Sequence, residues 1–346
     1  MVMLVINELP QSTRNIVVIG ASAGGVQALT RLFEQLPADL PAAFLVVMHI
    51  PAYEPSVLHL VLSRATQMPV MVAEGGESLK AGNVYVASPD RHLMLDNGGV
   101  RLTRGPKECR VRPAIDVLFR SAAVNYGPRA IGVVLTGALD DGTAGLWAIK
   151  DRGGLAYVQD PAEALLSSMP ESAIKHVAVD FIGTLDALAQ AIIREIGTRV
   201  DDAPRLTAHD PLAVEHSISI QGNGLEAGVM ELGEVSKYTC PDCHGVLVQI
   251  EEGSIVRFRC HTGHAFSMKT LILEINAAID TGLWDTLRAV EERIVLLRQM
   301  ADLSLSKGQT EEAEDCTWQA NEAERRLQPL RELVLAPEFF GHDQAS

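Results

Sequence analysis

A serine lies in the middle of a glycine-rich turn near the amino end of the chain, at Ser22 in the segment GASAG. Such a turn can raise a nucleophilic hydroxyl above a sheet edge, cradle a phosphate, or simply begin a helix. His49 and Asp141 also follow short apolar runs typical of buried strands. The ends of three predicted strands therefore carry a serine, a histidine and an aspartate, which together could perform nucleophilic catalysis.

The same residues argue against a dinucleotide site. Such a site needs a second glycine in the turn and an acid at the end of the next strand, but the chain has Ser22 and His49 at these positions. The order Ser-His-Asp also differs from that of α/β-hydrolases. An aspartate that accepts the imidazole Nδ1–H would fix the tautomer of the histidine, so we predict a Ser22-His49-Asp141 triad.

A second group of reactive residues lies near the carboxyl end. Cys240 and Cys243 form a CPDC turn, and Cys260 begins the segment CHTGH some sixteen residues later. Two such turns predict a closed tetrahedral zinc site with a structural role. The spacing leaves His261 and His264 open as the fourth ligand.

The elements that would position the first group alternate along residues 15–197. Short apolar runs at residues 16–19, 44–48, 84–87, 131–135 and 156–158 alternate with helical patterns. This alternation predicts a doubly wound α/β fold with a mostly parallel sheet, and functional residues beyond the carboxyl ends of its strands. Turn residues within 80–104 add an antiparallel hairpin portion.

Beyond this fold the pattern changes. Residues 198–236 are rich in Pro, Gly and Asp without sustained periodicity and are predicted to be a linker. We therefore divide the chain into a catalytic domain (1–197), a linker (198–236), a zinc-ribbon-like unit (237–268) and a helical hairpin tail (269–346). The tail has one apolar face, formed by Leu283, Leu287, Val290, Ile294 and Leu297.

Composition limits the partners and the location. The formal net charge of −15 argues against nucleic acid as the main partner. No apolar run approaches the roughly 20 residues that cross a bilayer, and the amino end lacks the features of a secretory signal. We expect a cytoplasmic protein without membrane insertion.

The sequence resembles a known enzyme family. The motifs IGASAGGVQAL, VVMHIP, VYVASPDRHLML, RPAIDVLFRSAA and VLTGALDDGTAG occur in this order within residues 15–190. They resemble the catalytic domain of CheB-type chemotaxis protein-glutamate methylesterases. The resemblance implies hydrolysis of glutamate methyl esters on chemoreceptors with release of methanol, and many members also deamidate receptor glutamines.

The resemblance also implies roles for single residues. Ser22 would be the nucleophile, His49 the base, and Asp141, rather than Asp140, the orienting acid. The backbone N–H of Ala138 falls where the family has an oxyanion donor. Ala138 and Ala23 replace residues that are methionine and threonine in some members, so both changes affect the expected pocket.

Other implications concern ligands, partners and control. Arg112 and Asp116 of the RPAID motif are candidates for substrate contact or, equally, for a structural ion pair. Catalysis needs no cofactor, and the partners would be the cytoplasmic helices of methylated chemoreceptors. Only residues 1–14 precede the first predicted strand, so we expect no receiver domain. The enzyme would then be constitutively active, restrained by its own tail, or regulated by a separate protein. Similarity of the Gly-His pair to tailed relatives favours His264 as the fourth zinc ligand.

The sequence therefore predicts a carboxyl-methylesterase with a serine nucleophile. The alternative is a signalling adaptor that uses the zinc and helical tail for protein interaction, with an esterase core that is inactive or acts on another ester. Methanol release from methylated receptors would distinguish the two.

Overall fold

The computed structural model describes residues 9–50, 53, 56–201 and 210–336. The chain divides into two compact units, Met1–Thr270 and Leu271–Ser346. The elements of the parallel sheet and its helical layers, with one hairpin, are β1 (Ile16–Ala21), α1 (Gly25–Glu34), β2 (Ala43–Met48), α2 (Leu58–Ala65), β3 (Val70–Val72), β4 (Val84–Val86), β5 (His92–Asp96), β6 (Gly99–Thr103), α3 (Ile115–Tyr126), β7 (Ala130–Val134), α4 (Thr143–Asp151), β8 (Leu155–Gln159), α5 (Ser168–His176), β9 (Phe181–Gly183) and α6 (Leu185–Glu195). The later elements are α7 (Pro211–Gln221), β10 (Glu234–Thr239), β11 (Val246–Glu252), β12 (Ile255–Cys260), β13 (Ala265–Ser267), α8 (Met268–Ser306) and α9 (Thr310–Leu335).

The central sheet has seven parallel strands in the order β3-β4-β2-β1-β7-β8-β9. Its middle strand β1 has the sequence IVVIGA and is buried along its whole length, as β-branched residues covered on both faces should be. Helices α1, α2 and α6 pack on one face, and α3, α4 and α5 on the other. The predicted doubly wound fold is therefore confirmed.

The antiparallel portion is smaller than the sequence suggested. Of the three short runs in residues 80–104, the first forms β4 within the parallel sheet, and only β5 and β6 pair as a hairpin. This hairpin packs against α3, where the Ser121 hydroxyl accepts a hydrogen bond from the N–H of Leu95. β4 pairs with β3 on one side and with β2 on the other, and its three residues are therefore fully buried in the sheet.

The segment predicted as a linker contains a helix. Residues 202–209 lie outside the described residues, but α7 follows them and packs against α3. The Asp210 side chain caps the helix by accepting a hydrogen bond from the N–H of Leu212, and Pro211 occupies the first turn. Asp and Pro suggested a loop in the sequence, yet both are favoured at a helix start.

A buried charge cluster joins α7 to its neighbours. The Glu215 carboxylate on α7 bonds Arg257 at 2.8 Å through both oxygens, and Arg259 bridges Glu215 and Glu108 at 2.8 and 2.9 Å. Arg120 on α3 completes the arrangement by pairing with Glu108. We call this group the charge cluster; its members are Glu108, Arg120, Glu215, Glu252, Arg257 and Arg259.

The remaining elements form two small structures. Strands β10 to β13 make a four-stranded antiparallel ribbon within the first unit. Helices α8 and α9 form the predicted hairpin of the second unit, whose core contains Leu287, Ile294, Ala320, Ala323 and Leu327, with Val290 and Leu297 packed against it. Among the described residues, no helix has both the length and the apolar character to cross a membrane.

Candidate active site

The ends of three adjacent strands bring the predicted catalytic residues together. Ser22 follows β1, His49 follows the neighbouring β2, and Asp141 lies on the turn after β7, on the other side of β1. The backbone N–H of Ser22 donates to Thr136 O at 3.0 Å, and that of His49 donates to Ala21 O at 3.2 Å. The site thus lies at the carboxyl edge of the sheet, where the strand order reverses.

The three side chains form a continuous hydrogen-bonded chain. The Ser22 Oγ lies 3.0 Å from His49 Nδ1, and His49 Nε2 lies 2.7 Å from Asp141 Oδ2. A carboxylate can only accept, so Nε2 carries the proton and the lone pair of Nδ1 faces the serine hydroxyl. The imidazole is part-exposed, whereas the Asp141 side chain is only 3% exposed.

The expectation that Asp141 accepts Nδ1–H is wrong, because the opposite nitrogen faces it. The strand order gives the physical reason. Ser22 is on the strand next to that of His49, within reach of the near nitrogen, while Asp141 is two strands away and is reached only by the far nitrogen.

The amino end of α3 anchors the acid. The backbone N–H of Ile115 donates to Asp141 Oδ2 at 2.7 Å, and the N–H of Asp116 donates to Oδ1 at 3.0 Å. Unpaired N–H groups and the helix dipole both favour a negative charge at this position. This anchor was missed in the sequence, although the RPAID motif at the start of a predicted helix was a signal for it.

The carboxyl of Asp116 is engaged with backbone groups of the turn that carries Asp141. Its carboxyl is buried, and its Oδ1 accepts the N–H groups of Gly142 and Gly145 at 3.0 and 2.6 Å, on the turn that carries Asp141. Burial, and then repulsion from Asp141, raise the pKa of Asp116 to about 8. Burial therefore favours the protonated form of Asp116.

The thiol of Cys109 is close to both carboxyl groups, with the three ligand atoms within 4.8 Å of one another. A metal ion does not suit this group, because the oxygens of Asp141 already accept hydrogen bonds from Ile115, Asp116 and His49. Burial and the nearby carboxylates raise the pKa of Cys109 well above its usual value. The thiol is consequently neutral and packs behind the acid.

Arg112 forms the structural ion pair that was the second interpretation of this residue. Its Nε and Nη2 lie 3.0 and 2.6 Å from Asp90 Oδ1, and its Nη1 donates to Gly105 O at 2.7 Å. The pair joins the turns before β5 and after β6. The hydrogen bond with Arg112 lowers the pKa of Asp90, so both groups are charged and engaged with one another.

The turn after β7 also holds the proposed oxyanion donor. Gly137 is required there because a Cβ would lie 2.8 Å from Ser22 Cβ and 2.1 Å from a Met169 sulfur. Leu139 has a φ of 66°, and its N–H donates to Ser168 Oγ at 3.1 Å. Between them, the N–H of Ala138 has no acceptor among the residues that the structure describes. It remains available to an oxygen of a ligand.

The predicted metal ligands also lie together, in the ribbon. The ligand atoms of four residues all lie within 4.8 Å of one another; these residues are Cys240, Cys243, Cys260 and His264. His261 is exposed and is not part of this group. Of the two alternatives for the fourth ligand, only His264 faces the thiols.

Comparison with known proteins agrees with the fold of the first 197 residues. A family model described as CheB methylesterase matches residues 17–192. A crystal structure of the CheB methylesterase catalytic domain of Thermotoga maritima superposes with a TM-score of 0.51 and 34% sequence identity, covering 53% of this chain and 98% of that one.

Curated relatives match the same region. A protein of Leptospira interrogans is 39% identical over 179 residues, which are 51% of this chain and 93% of the relative. A Methanosarcina mazei protein named protein-glutamate methylesterase/protein-glutamine glutaminase 2 is 38% identical over 191 residues, which are 53% of this chain and 52% of the relative. The chain thus spans about half the length of the second relative.

Proposed function

The chain belongs to the CheB methylesterase family, and from that premise we propose that it hydrolyses glutamate methyl esters on proteins and releases methanol. Ser22 is the nucleophile, His49 the general base and acid, and Asp141 the orienting acid. The observation that carries this proposal is the hydrogen-bonded chain of 3.0 Å from Ser22 Oγ to His49 Nδ1 and 2.7 Å from His49 Nε2 to Asp141.

The first half of the reaction forms an acyl-enzyme. Ser22 Oγ attacks the ester carbonyl carbon while its proton moves to His49 Nδ1. The Asp141 carboxylate, 2.7 Å from His49 Nε2, accepts the Nε2–H and stabilises the imidazolium. Nδ1–H then gives its proton to the departing methoxide, which leaves as methanol.

The second half returns the enzyme to its starting state. A water molecule loses its proton to His49 Nδ1 and attacks the acyl carbon, and Ser22 leaves with that proton. The carboxylic acid so formed releases its proton to solvent, and the product is the glutamate carboxylate. In both halves the carbonyl oxygen becomes an oxyanion, and we assign its donor to the free N–H of Ala138; one such donor contributes about 2.7–4 kcal/mol.

Deamidation is a second activity that the same geometry supports. The Methanosarcina mazei relative is named a glutaminase as well as a methylesterase. Attack on a glutamine amide needs the same nucleophile, and the proton on Nδ1 is then delivered to departing ammonia. The two activities would therefore share Ser22, His49 and Asp141.

The substrate we propose is the cytoplasmic helices of methylated chemoreceptors, in signal adaptation. With this substrate the enzyme would act in the cytoplasm. The proposed reaction requires no cofactor. We keep the division into a catalytic domain (1–197) and a tail (269–346) as our proposal, with the ribbon as part of the first compact unit.

The test is methanol release from membranes that carry methylated receptors. Wild type should release methanol, and Ser22→Ala should not. Ser63→Ala is the matched control, because its hydroxyl bonds only to His59 O on the exposed side of α2. Ammonia release from receptors with glutamine at the same sites tests deamidation. A wild-type chain that folds but releases neither product would support the adaptor alternative.

A further inference from the structure

The thiol and imidazole group of the ribbon has the dimensions of a zinc site. Cys243 Sγ and Cys260 Sγ are 3.6 Å apart, and His264 Nδ1 lies 3.7 Å from Cys240 Sγ and 3.6 Å from Cys260 Sγ. Tetrahedral bonds of about 2.3 Å to sulfur and about 2.0 Å to nitrogen would separate the ligands by about 3.5–3.8 Å. These three distances match those of a tetrahedral zinc site, and all four ligand atoms lie within 4.8 Å of one another.

The surroundings of the sulfur atoms suit thiolates. Backbone groups of Asp242 and Cys243 hydrogen-bond to the Cys240 sulfur, and the Thr262 hydroxyl donates to Cys243 Sγ at 3.4 Å. Cys240 and Cys260 are fully buried. Four protein ligands in such a setting leave no open position for a substrate, which is the pattern of a structural metal.

The turn that supplies two of these ligands packs tightly against the body of the first unit. Gly263, between Cys260 and His264, has a φ of 109°, and a Cβ there would lie 2.7 Å from Ile218 and 2.8 Å from Pro106. Arg259, next to Cys260, donates to Gly263 O at 2.8 Å and enters the charge cluster. The conformation of the ligand turn and its docking are therefore linked.

The strand after this turn reaches the loop of the catalytic acid. The N–H of Cys109 donates to Ala265 O at 2.9 Å, and the N–H of Ala265 donates to Lys107 O at 3.2 Å. Two residues further, the Ser267 hydroxyl donates to Asp140 Oδ1 at 2.8 Å. Asp140 directly precedes Asp141, so β13 contacts the turn that orients His49.

We propose that Cys240, Cys243, Cys260 and His264 bind one structural Zn²⁺, and that this metal holds β12 and β13 in the conformation that positions the Asp140–Asp141 turn through Ser267. Ser267 is then a positioning residue, which acts through Asp140 and does not touch substrate. The role for Ser267 depends on the proposed esterase, whereas the metal site does not.

The metal site is tested on the purified full chain without any substrate. Elemental analysis should find one zinc per chain, and Cys243→Ser and His264→Ala should each lose most of it. His261→Gln is the matched control and should keep the zinc, because His261 lies outside the ligand group. Substitution with Co²⁺ should give the strong visible absorption of a tetrahedral thiolate site in wild type and in His261→Gln. Absence of zinc from wild type, or equal zinc in Cys243→Ser, overturns the site.

The positioning role is tested on protein that keeps its zinc. Ser267→Ala should retain the metal and lower kcat about threefold to tenfold with KM unchanged. The midpoint of thermal unfolding should fall slightly, because the Ser267 hydroxyl also accepts the N–H of Thr270 at the start of α8. Ser267→Thr, which keeps the hydroxyl, should restore kcat. The control Ser254→Ala removes a hydroxyl on the turn between β11 and β12, which lies 2.9 Å from Nδ1 of His176 at the end of α5, and should leave kcat unchanged. Unchanged kcat in Ser267→Ala, or a rise in KM alone, overturns the positioning role.

Removal of zinc tests whether the metal site affects the position of the Asp140–Asp141 turn. Chelation should lower the midpoint of thermal unfolding and kcat together, and added Zn²⁺ should restore both. A chain that binds zinc but never releases methanol contradicts the proposed function and leaves the metal site standing. A chelated protein with full kcat and an unchanged midpoint shows that the ribbon does not position the turn.

Discussion

Two groups of charged and polar side chains in the first unit differ in what they can do. The triad lies at an edge of the sheet, where the His49 side chain is 16% exposed and faces a serine hydroxyl. In the charge cluster, by contrast, Arg120, Glu215 and Arg259 are 2%, 1% and 1% exposed. In the triad, the serine hydroxyl is accessible to a ligand. In the charge cluster, the buried ion pairs expose no nucleophile.

The charges are also balanced differently. The charge cluster holds three carboxylates and three guanidinium groups, and burial alone would raise the pKa of Glu108, but Arg120 and Arg259 overcome this and lower it to about 2. Beside the triad, burial and repulsion from Asp141 raise the pKa of Asp116 to about 8. The carboxylates of the charge cluster are paired with arginines and have a structural role, whereas Asp141 is held by His49 and by backbone N–H groups at the site of catalysis.

The largest effect should come from removal of the nucleophile or the base. Ser22→Ala and His49→Ala should each lower kcat by at least about 10³-fold, because members of a triad act as a unit. The midpoint of thermal unfolding should change little, since both side chains are part-exposed. Steady-state methanol release and calorimetry measure the two quantities. More than about a tenth of the wild-type rate in both variants would contradict the triad.

The charge cluster should show the opposite response. Glu215→Ala removes one of the two carboxylates that pair with Arg257 and one of the two that pair with Arg259, and should lower the free energy of unfolding by about 3–5 kcal/mol. Protein that remains folded at low temperature should keep its kcat. Urea unfolding measures the change, and Asp186→Ala is the control, because its pair with Arg31 is exposed and should not affect the midpoint. A loss no larger than that of the control would contradict the structural role.

Acid should weaken the cluster in a defined range. The pKa of Glu108 is about 2 in the folded chain, below its ordinary value of 4.5. Its contribution to stability is therefore complete above pH 4.5 and is lost as the pH falls toward 2. Urea midpoints should fall over this range in wild type and less steeply in Glu108→Gln. Equal slopes would show that Glu108 is not held as a carboxylate by its arginines.

The smallest change in kcat is expected when the carboxyl group of Asp116 is replaced by a neutral amide. Asp116→Asn keeps the oxygen that accepts the N–H groups of Gly142 and Gly145, and should change kcat by less than about threefold. Asp116→Ala leaves two buried N–H groups unpaired, at about 1–3 kcal/mol each, and should lower kcat about tenfold. Methanol release and urea unfolding of both variants provide the test. A large loss in Asp116→Asn would mean that its negative charge is needed.

Much of the active site could be predicted from the sequence. Buried strands are short apolar runs, and the residues that follow them lie at one edge of a parallel sheet, so Ser22, His49 and Asp141 could be placed together before any contact was known. The helical hairpin followed from its apolar face, and the metal ligand group from two cysteine turns. These features depend on residues close to one another in the chain.

Other features were decided only by the tertiary structure. The nitrogen of His49 that faces Asp141 depends on strand order, and the role of Asp116 depends on which backbone groups surround its carboxyl. The choice of His264 over His261 depends on where each ring points. The sequence of α7 suggested a linker, because its place is fixed by partners such as Arg257, 42 residues away, and Arg259 reaches Glu108 across 151 residues. Local sequence patterns record periodicity and turns, but a buried ion pair is determined by which distant segments meet in the folded chain.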